Sequence, residues 1–224
     1  MPGKEKAMKT IRVTGKGQIK MHPDMTRIVI TLKDRCKEYS EALRHSAEDT
    51  ESLRDILNNL GFERSDLKTL RFDVEAKYEY ADEKRYKRYF DGYEYEHTAK
   101  VEFESDNRLL GRVLYALANS VVSPEFRIGY FVKDQEAAKN TLLANAVTDA
   151  REKATVLSQS AGVVLKDIQT IDYSWGEVRF ESRLMECASG GVCYSPAPDG
   201  CYDMDIEPDD IDASDNVTVI WEIA

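Results

Sequence analysis

Between Leu67 and Glu104 the chain alternates apolar and charged residues at nearly every step. Leu70, Phe72, Val74, Ala76 and Tyr78 fall on one side. After a charged tip, Tyr93, Tyr95, His97, Ala99, Val101 and Phe103 fall on one side again. A period of two is the pleat of a β-strand, so the stretch predicts two long strands joined as a hairpin. The other side of both arms is charged throughout, which predicts a sheet with one wet face.

Helical spacing supplies the cover for the apolar face. From Tyr39 to Leu60 the residues Tyr39, Leu43, Ser46, Thr50, Leu53, Leu57 and Leu60 recur at steps of four and three, and Ala42 and Ile56 widen the stripe. Asp106 caps a second helix, Asn107 to Asn119, with Leu110, Val113, Leu114 and Leu117 as its buried stripe. Asp134 opens the longest helix, reaching about Ala161, with a stripe of Leu143, Val147, Ala150, Ala154, Leu157 and Ala161. Its alanines imply close approach to a neighbouring element. Further strands are expected at Thr10–Gln18, Arg27–Arg35, Phe126–Val132, Asp167–Tyr173 and Asn216–Ile223. Gly15 and Gly17 predict a bulge or sharp twist in the first of them. The resulting order is β-β-α-β-β-α-β-α-β-β. It describes an α+β fold in which long amphipathic helices pack on one face of a mixed or antiparallel sheet, with a long β-hairpin arm. Residues 1–9 read as a polar tail and 10–224 as a single domain. That domain includes a long loop at 174–214, rich in cysteine, proline and acid.

The 224 residues carry 31 Lys and Arg against 41 Asp and Glu, a formal net charge of −10. Such a surface repels phosphate backbones and argues against nucleic-acid binding. One local exception, Lys84, Arg85, Tyr86, Lys87, Arg88 and Tyr89, interleaves bases with tyrosines and is a candidate interaction surface. Asp82, Glu83, Asp91, Glu94 and Glu96 flank it and weaken its field, so a solvated hairpin tip is the plainer reading. No stretch approaches the ~20 apolar residues of a membrane span. Residues 1–9 lack the apolar core of a signal peptide, which points to a cytoplasmic chain.

Chemistry-bearing residues are sparse. Cys36 ends a strand; Cys187, Cys193 and Cys201 share the long loop. Their spacing does not match the C-x2-C knuckle of structural zinc sites, but with Met185 they form a candidate soft-metal or oxidation-sensing set. Asp203, Asp205 and Glu207 alternate as oxygen ligands do, without the glycine that a calcium loop requires. His22 lies at a turn, His45 lies off the apolar stripe of its helix, and His97 sits among tyrosines on a strand, packed or half-exposed. None has a serine or cysteine partner at a telling spacing, so the reading is a non-enzyme without a cofactor.

Two ends of the chain carry a family likeness. Thr10-Ile11-Arg12-Val13-Thr14-Gly15-Lys16-Gly17-Gln18-Ile19, then Pro23-Asp24 and Thr26–Leu32, open it. Ile206-Glu207-Pro208-Asp209-Asp210-Ile211 and Val217–Ile223 close it, and Gly92-Tyr93 starts a return strand. These segments resemble the opening hairpin and closing strand of the SIMPL domain family, also called YggE-like. The resemblance implies a non-enzymatic envelope or stress-related protein. Some members build large ring-like or channel-like homo-oligomers, an animal member is an adaptor in kinase signalling, and many bacterial members are exported. The expectation is a homo-oligomeric assembly or scaffold linked to stress response, with further copies or another protein as partner. The alternative is a metal- or redox-responsive module built on Cys187, Cys193 and Cys201.

Overall fold

Along the chain, strands and helices follow as β1 (Thr10–Met21), β2 (Met25–Cys36), α1 (Tyr39–Asn59), β3 (Lys68–Asp82), β4 (Arg85–Glu104), α2 (Asn107–Ala118), β5 (Glu125–Phe131), α3 (Gln135–Ser160), β6 (Leu165–Asp172), β7 (Met185–Glu186) and β8 (Ile211–Ile223). The structure is a computed structural model and describes residues 9–82, 85–173, 178–182, 185–186 and 206–224. The two-residue β7 has no counterpart among the expected elements. The strands form two sheets rather than one, ordered β1-β8-β6 and β3-β4-β2-β5-β7, and every pairing is antiparallel.

The expected opening hairpin does not pair with itself. β1 pairs with β8, and β2 pairs with β4 and β5. Both edges of β2 are therefore taken. Pro23, in the short link between β1 and β2, has a fixed φ and no N–H to extend a ladder. Contacts accordingly divide the chain into two compact units. One comprises Met1–Pro23, Val132–Glu181 and Asp209–Ala224, and the other Asp24–Phe131 and Ser182–Pro208.

In the first unit, α3 packs on the three-stranded sheet. Its buried residues are Ala138, Leu142, Ala146, Ala150, Ala154 and Ser158, a row repeating every four residues. This corrects the expected stripe: Ala150 and Ala154 belong to it, Leu143 and Val147 are only partly buried, and Leu157 is 50% exposed. The reason lies in β1. Its register with β8 runs unbroken from Thr10 to Met21, so Gly15 and Gly17 make no bulge. They make room instead. A Cβ on Gly15 would stand 2.0 Å from the Ala146 carbonyl oxygen, and one on Gly17 would stand 2.1 Å from that of Leu142. The helix thus sits backbone to backbone on the strand, and only its small-residue row fits there. Val13, Val217, Val219 and Trp221 fill the remaining space from the sheet side. Polar side chains of α3 also satisfy the backbone of β1. The Lys16 N–H donates to Asp149 Oδ2 at 2.6 Å, and Asn145 Nδ2 donates to the Gln18 carbonyl at 3.3 Å.

In the second unit, α1 and α2 share one core with the five-stranded sheet. Ile28, Ile30 and Leu32 of β2, with Tyr95, Ala99 and Val101 of β4, meet Leu53 and Leu57 of α1 and Leu110, Val113, Leu114 and Leu117 of α2. The Asp106 carboxylate caps α2 through the N–H groups of Arg108 and Leu109. The buried row of α1 is Ala42, Ser46, Thr50, Leu53 and Leu57; Tyr39 and Leu43, expected within it, are exposed. The charged residues of β2, β3 and β4 form ion pairs. Arg35 donates to Asp91 at 2.5 Å and to Glu94 at 3.2 Å, and Lys77 reaches Glu94 at 3.0 Å. These partners raise Arg35 and hold Asp91 below the usual carboxylate range, the Arg35 hydrogen bond being the largest influence on Asp91.

Candidate functional site

A cleft of about 500 Å³ opens between α1 and the β3–β4 hairpin. His97 of β4 forms part of its wall, with Thr50 and Arg54 from α1, Thr69 and Phe72 from β3, and Arg64 from the turn between them. Strand alternation sends His97 inward with Tyr95 and Ala99. The ring is 7% exposed and meets Phe72 edge-on at 5.6 Å.

The hydrogen bonds of His97 assign its proton. The Thr50 hydroxyl gives its one hydrogen to the Ser46 carbonyl at 2.7 Å. Towards His97 Nδ1, 2.8 Å away, it can only accept. Nδ1 therefore carries the hydrogen, and Nε2 accepts from the Thr69 hydroxyl at 2.9 Å. Burial, then the charge of Arg54, pushes the imidazole below its ordinary pKa. Both nitrogens are committed, so the ring is held neutral in one orientation. At the rim, Arg64 grips Glu51 with two hydrogen bonds of 2.5 and 2.8 Å, which lower the Glu51 pKa. Arg54 reaches Glu51 at 3.3 Å through Nη1, while its buried Nε has no partner among the described residues.

A pH prediction follows from His97. Its folded pKa lies below the unfolded value of about 6.5, so below that pH the unfolded chain binds more protons than the folded one. Stability contributed by the neutral ring is present above pH ~6.5 and is lost as pH falls towards the folded pKa. Urea midpoints measured from pH 7.5 to 5 should fall on acidification, and His97→Gln should flatten that part of the profile. An unchanged slope in the variant would contradict it.

Asp34, Cys36 and His45 form a second cluster. Asp34 and Cys36 occupy alternate positions of β2, and His45 faces them from α1. Their ligand atoms all lie within 4.8 Å of one another. Cys36 is a buried free thiol. Burial, then Asp34 and Glu41, pushes its pKa up. Neither constellation was legible as a site in sequence. Thr50 and Thr69 lie 47 and 28 residues from His97, and His45 meets Asp34 only through the phase of α1. The inward parity of His97 and the place of Thr50 on the α1 stripe were the available signals.

The other candidate residues fall elsewhere. Cys187, Cys193 and Cys201 lie outside the described residues, as does Lys84. So do the side chains of Met185, Arg85, Tyr86 and Lys87, whose backbone is strand. The Arg88 guanidinium lies 6.0 Å over the Tyr78 ring, and Tyr89 donates to Glu79 at 2.7 Å. His22 meets Asp210 at 3.3 Å within the first unit.

A family model described as SIMPL, protein of unknown function (DUF541), matches residues 11–221, nearly the whole chain. The chain belongs to the SIMPL family. No curated protein matches this SIMPL chain in sequence. Among the described residues of the SIMPL chain, no helix is long and apolar enough to cross a membrane.

Proposed function

We propose that this SIMPL chain is a non-enzymatic assembly module whose copies join along β3. The observation that carries the reading is the outer edge of that strand, which no other strand pairs with among the described residues. β3 ends the five-stranded sheet and spans 15 residues, beyond the usual ~3–10 for a strand. From Arg71 to Tyr80 no residue of β3 is skipped in its pairing with β4, and the one irregularity in this stretch, at Asp91, lies on β4. An edge of this kind is a template for another strand. The edge strand β1 differs, because α3 takes up backbone groups of Lys16 and Gln18.

The sequence of β3 suits a two-fold contact. If two copies pair antiparallel about Glu75, Arg71 faces Glu79, Phe72 faces Tyr78, Asp73 faces Lys77 and Val74 faces Ala76. Opposite charges and apolar partners thereby fall into register, each pair contributing about 0.2–1 kcal/mol. The Glu75–Glu75 opposition costs something, and Lys77, 3.2 Å from Glu75 within the chain, offsets it. Phe72 and Tyr78 are 45% and 53% exposed and gain cover in such a contact. The paired nitrogens of His97 accord with a structural rather than a proton-transferring role.

Light scattering after gel filtration tests this. The native chain should run as a multiple of one chain, with or without reductant. Asp73→Lys places two like-charge pairs in each contact and should reduce the mass. Adding Lys77→Asp to the same chain re-creates the opposed charges and should restore it. A single-chain mass at every concentration would end the proposal, as would a particle indifferent to Asp73→Lys.

A further inference from the structure

We propose that Asp34, Cys36 and His45 bind a divalent metal ion of the zinc class. The site is distinct from the cleft at His97 and does not depend on assembly. Its argument begins with donor chemistry. Thiolate, imidazole and carboxylate together are the ligand set that borderline metals take, and zinc accepts three protein ligands with a fourth position for water.

Geometry supports the same conclusion. His45 Nδ1 stands 3.6 Å from Asp34 Oδ2. That is too long for a hydrogen bond. Two ligands each about 2.1 Å from a tetrahedral zinc are about 3.4 Å apart. The separation is thus closer to that of two ligands sharing an ion than to that of a bonded pair. The three donor atoms, within 4.8 Å of one another, would draw together on an ion. Asp34 and His45 are 54% and 40% exposed in their side chains, so an ion can enter from solvent, while Cys36 closes the inner side.

The surroundings favour a cation. Glu41 and Asp49 bring negative charge near the donors, and Arg44 brings positive charge. Asp49 lies one helical turn beyond His45, and the Tyr95 hydroxyl donates to its Oδ2. Asp49 stands outside the three-donor cluster and adds negative charge near it. Binding exchanges the thiol proton for the metal: Cys36–SH and M²⁺ give Cys36–S–M⁺ and H⁺, the proton leaving to solvent. No redox step is involved.

The test uses the full chain with Cys187→Ser, Cys193→Ser and Cys201→Ser, which leaves Cys36 as the one thiol of four. After chelator treatment it is titrated with Co²⁺, followed by absorption, and then with Zn²⁺ in competition. One Co²⁺ per chain is expected, with a thiolate-to-cobalt charge-transfer band that Zn²⁺ removes. His45→Gln and Asp34→Asn, each checked for native circular dichroism, should weaken binding at least about tenfold. Cys36→Ser should abolish the band. Absence of the band in the triple-serine chain overturns the proposal. So does an affinity unchanged by His45→Gln and Asp34→Asn, two partly exposed positions whose replacement leaves the core intact.

Discussion

Gly15→Ala is expected to destabilise the protein by about 3 kcal/mol or more, the upper end of what overpacking costs. The new methyl group would lie 2.0 Å from the Ala146 oxygen, 2.4 Å from the Ala150 nitrogen and 2.7 Å from the Ala150 Cβ. Two of these are backbone atoms of α3, which cannot swing aside as a side chain would. Relief requires lifting the helix from β1, and that opens the row of alanines packed beneath it. It would also stretch the 2.6 Å hydrogen bond from the Lys16 N–H to Asp149, whose carboxylate is held below its usual pKa by Lys153 first and this N–H second. Gly17→Ala meets the Leu142 oxygen in the same way. Lys16→Ala, between them, removes an exposed side chain and keeps the backbone donor, so a change within about 0.5 kcal/mol is expected. Urea denaturation of the three variants separates these outcomes. A loss under about 1 kcal/mol for Gly15→Ala would mean that helix and strand are not in backbone contact.

Trp221→Ala should be comparably severe, at about 3–5 kcal/mol. Trp221 is 3% exposed and lies on β8, the middle strand of the β1-β8-β6 sheet. The helix facing it offers alanines, so the bulk of that core comes from the strands. Removing the largest of those side chains leaves a cavity that small neighbours cannot fill. Trp221→Phe keeps most of the volume and should lose much less. Thermal unfolding followed by far-ultraviolet circular dichroism ranks the two, and equal melting points would contradict the packing argument.

What sequence discloses here depends on how each face is buried. The α2 stripe of Leu110, Val113, Leu114 and Leu117 is readable because those residues are bulky and face one core. The inward side of β4, from Tyr95 to Phe103, is readable for the same reason. The α3 stripe misleads because the usual rule inverts. Close packing on two glycines selects the smallest residues and leaves Leu157 half exposed. Division into two sheets is hidden because β1 and β2 are neighbours in sequence and look like a hairpin, while their partners lie far along the chain. The sites are less visible still. Asp34 and Cys36 share a strand face, but only the fold brings His45 to them.

The long-range pairing of β1 and β8 has a consequence for how the chain is made. Thr14 and Thr218 exchange a hydrogen bond across 204 residues. At roughly 5–20 residues per second, a ribosome needs about 10–40 s to go from one to the other. Throughout that interval Ile11, Val13 and Ile19 of β1 lack the strand that pairs with them, since β8 does not yet exist. The sheet of β2, β4 and β5 is complete in sequence by residue 131 and is free to form meanwhile. A chain ended just before residue 211 would therefore have one sheet formed and two strands, β1 and β6, without their common partner, a natural client for chaperones and proteases.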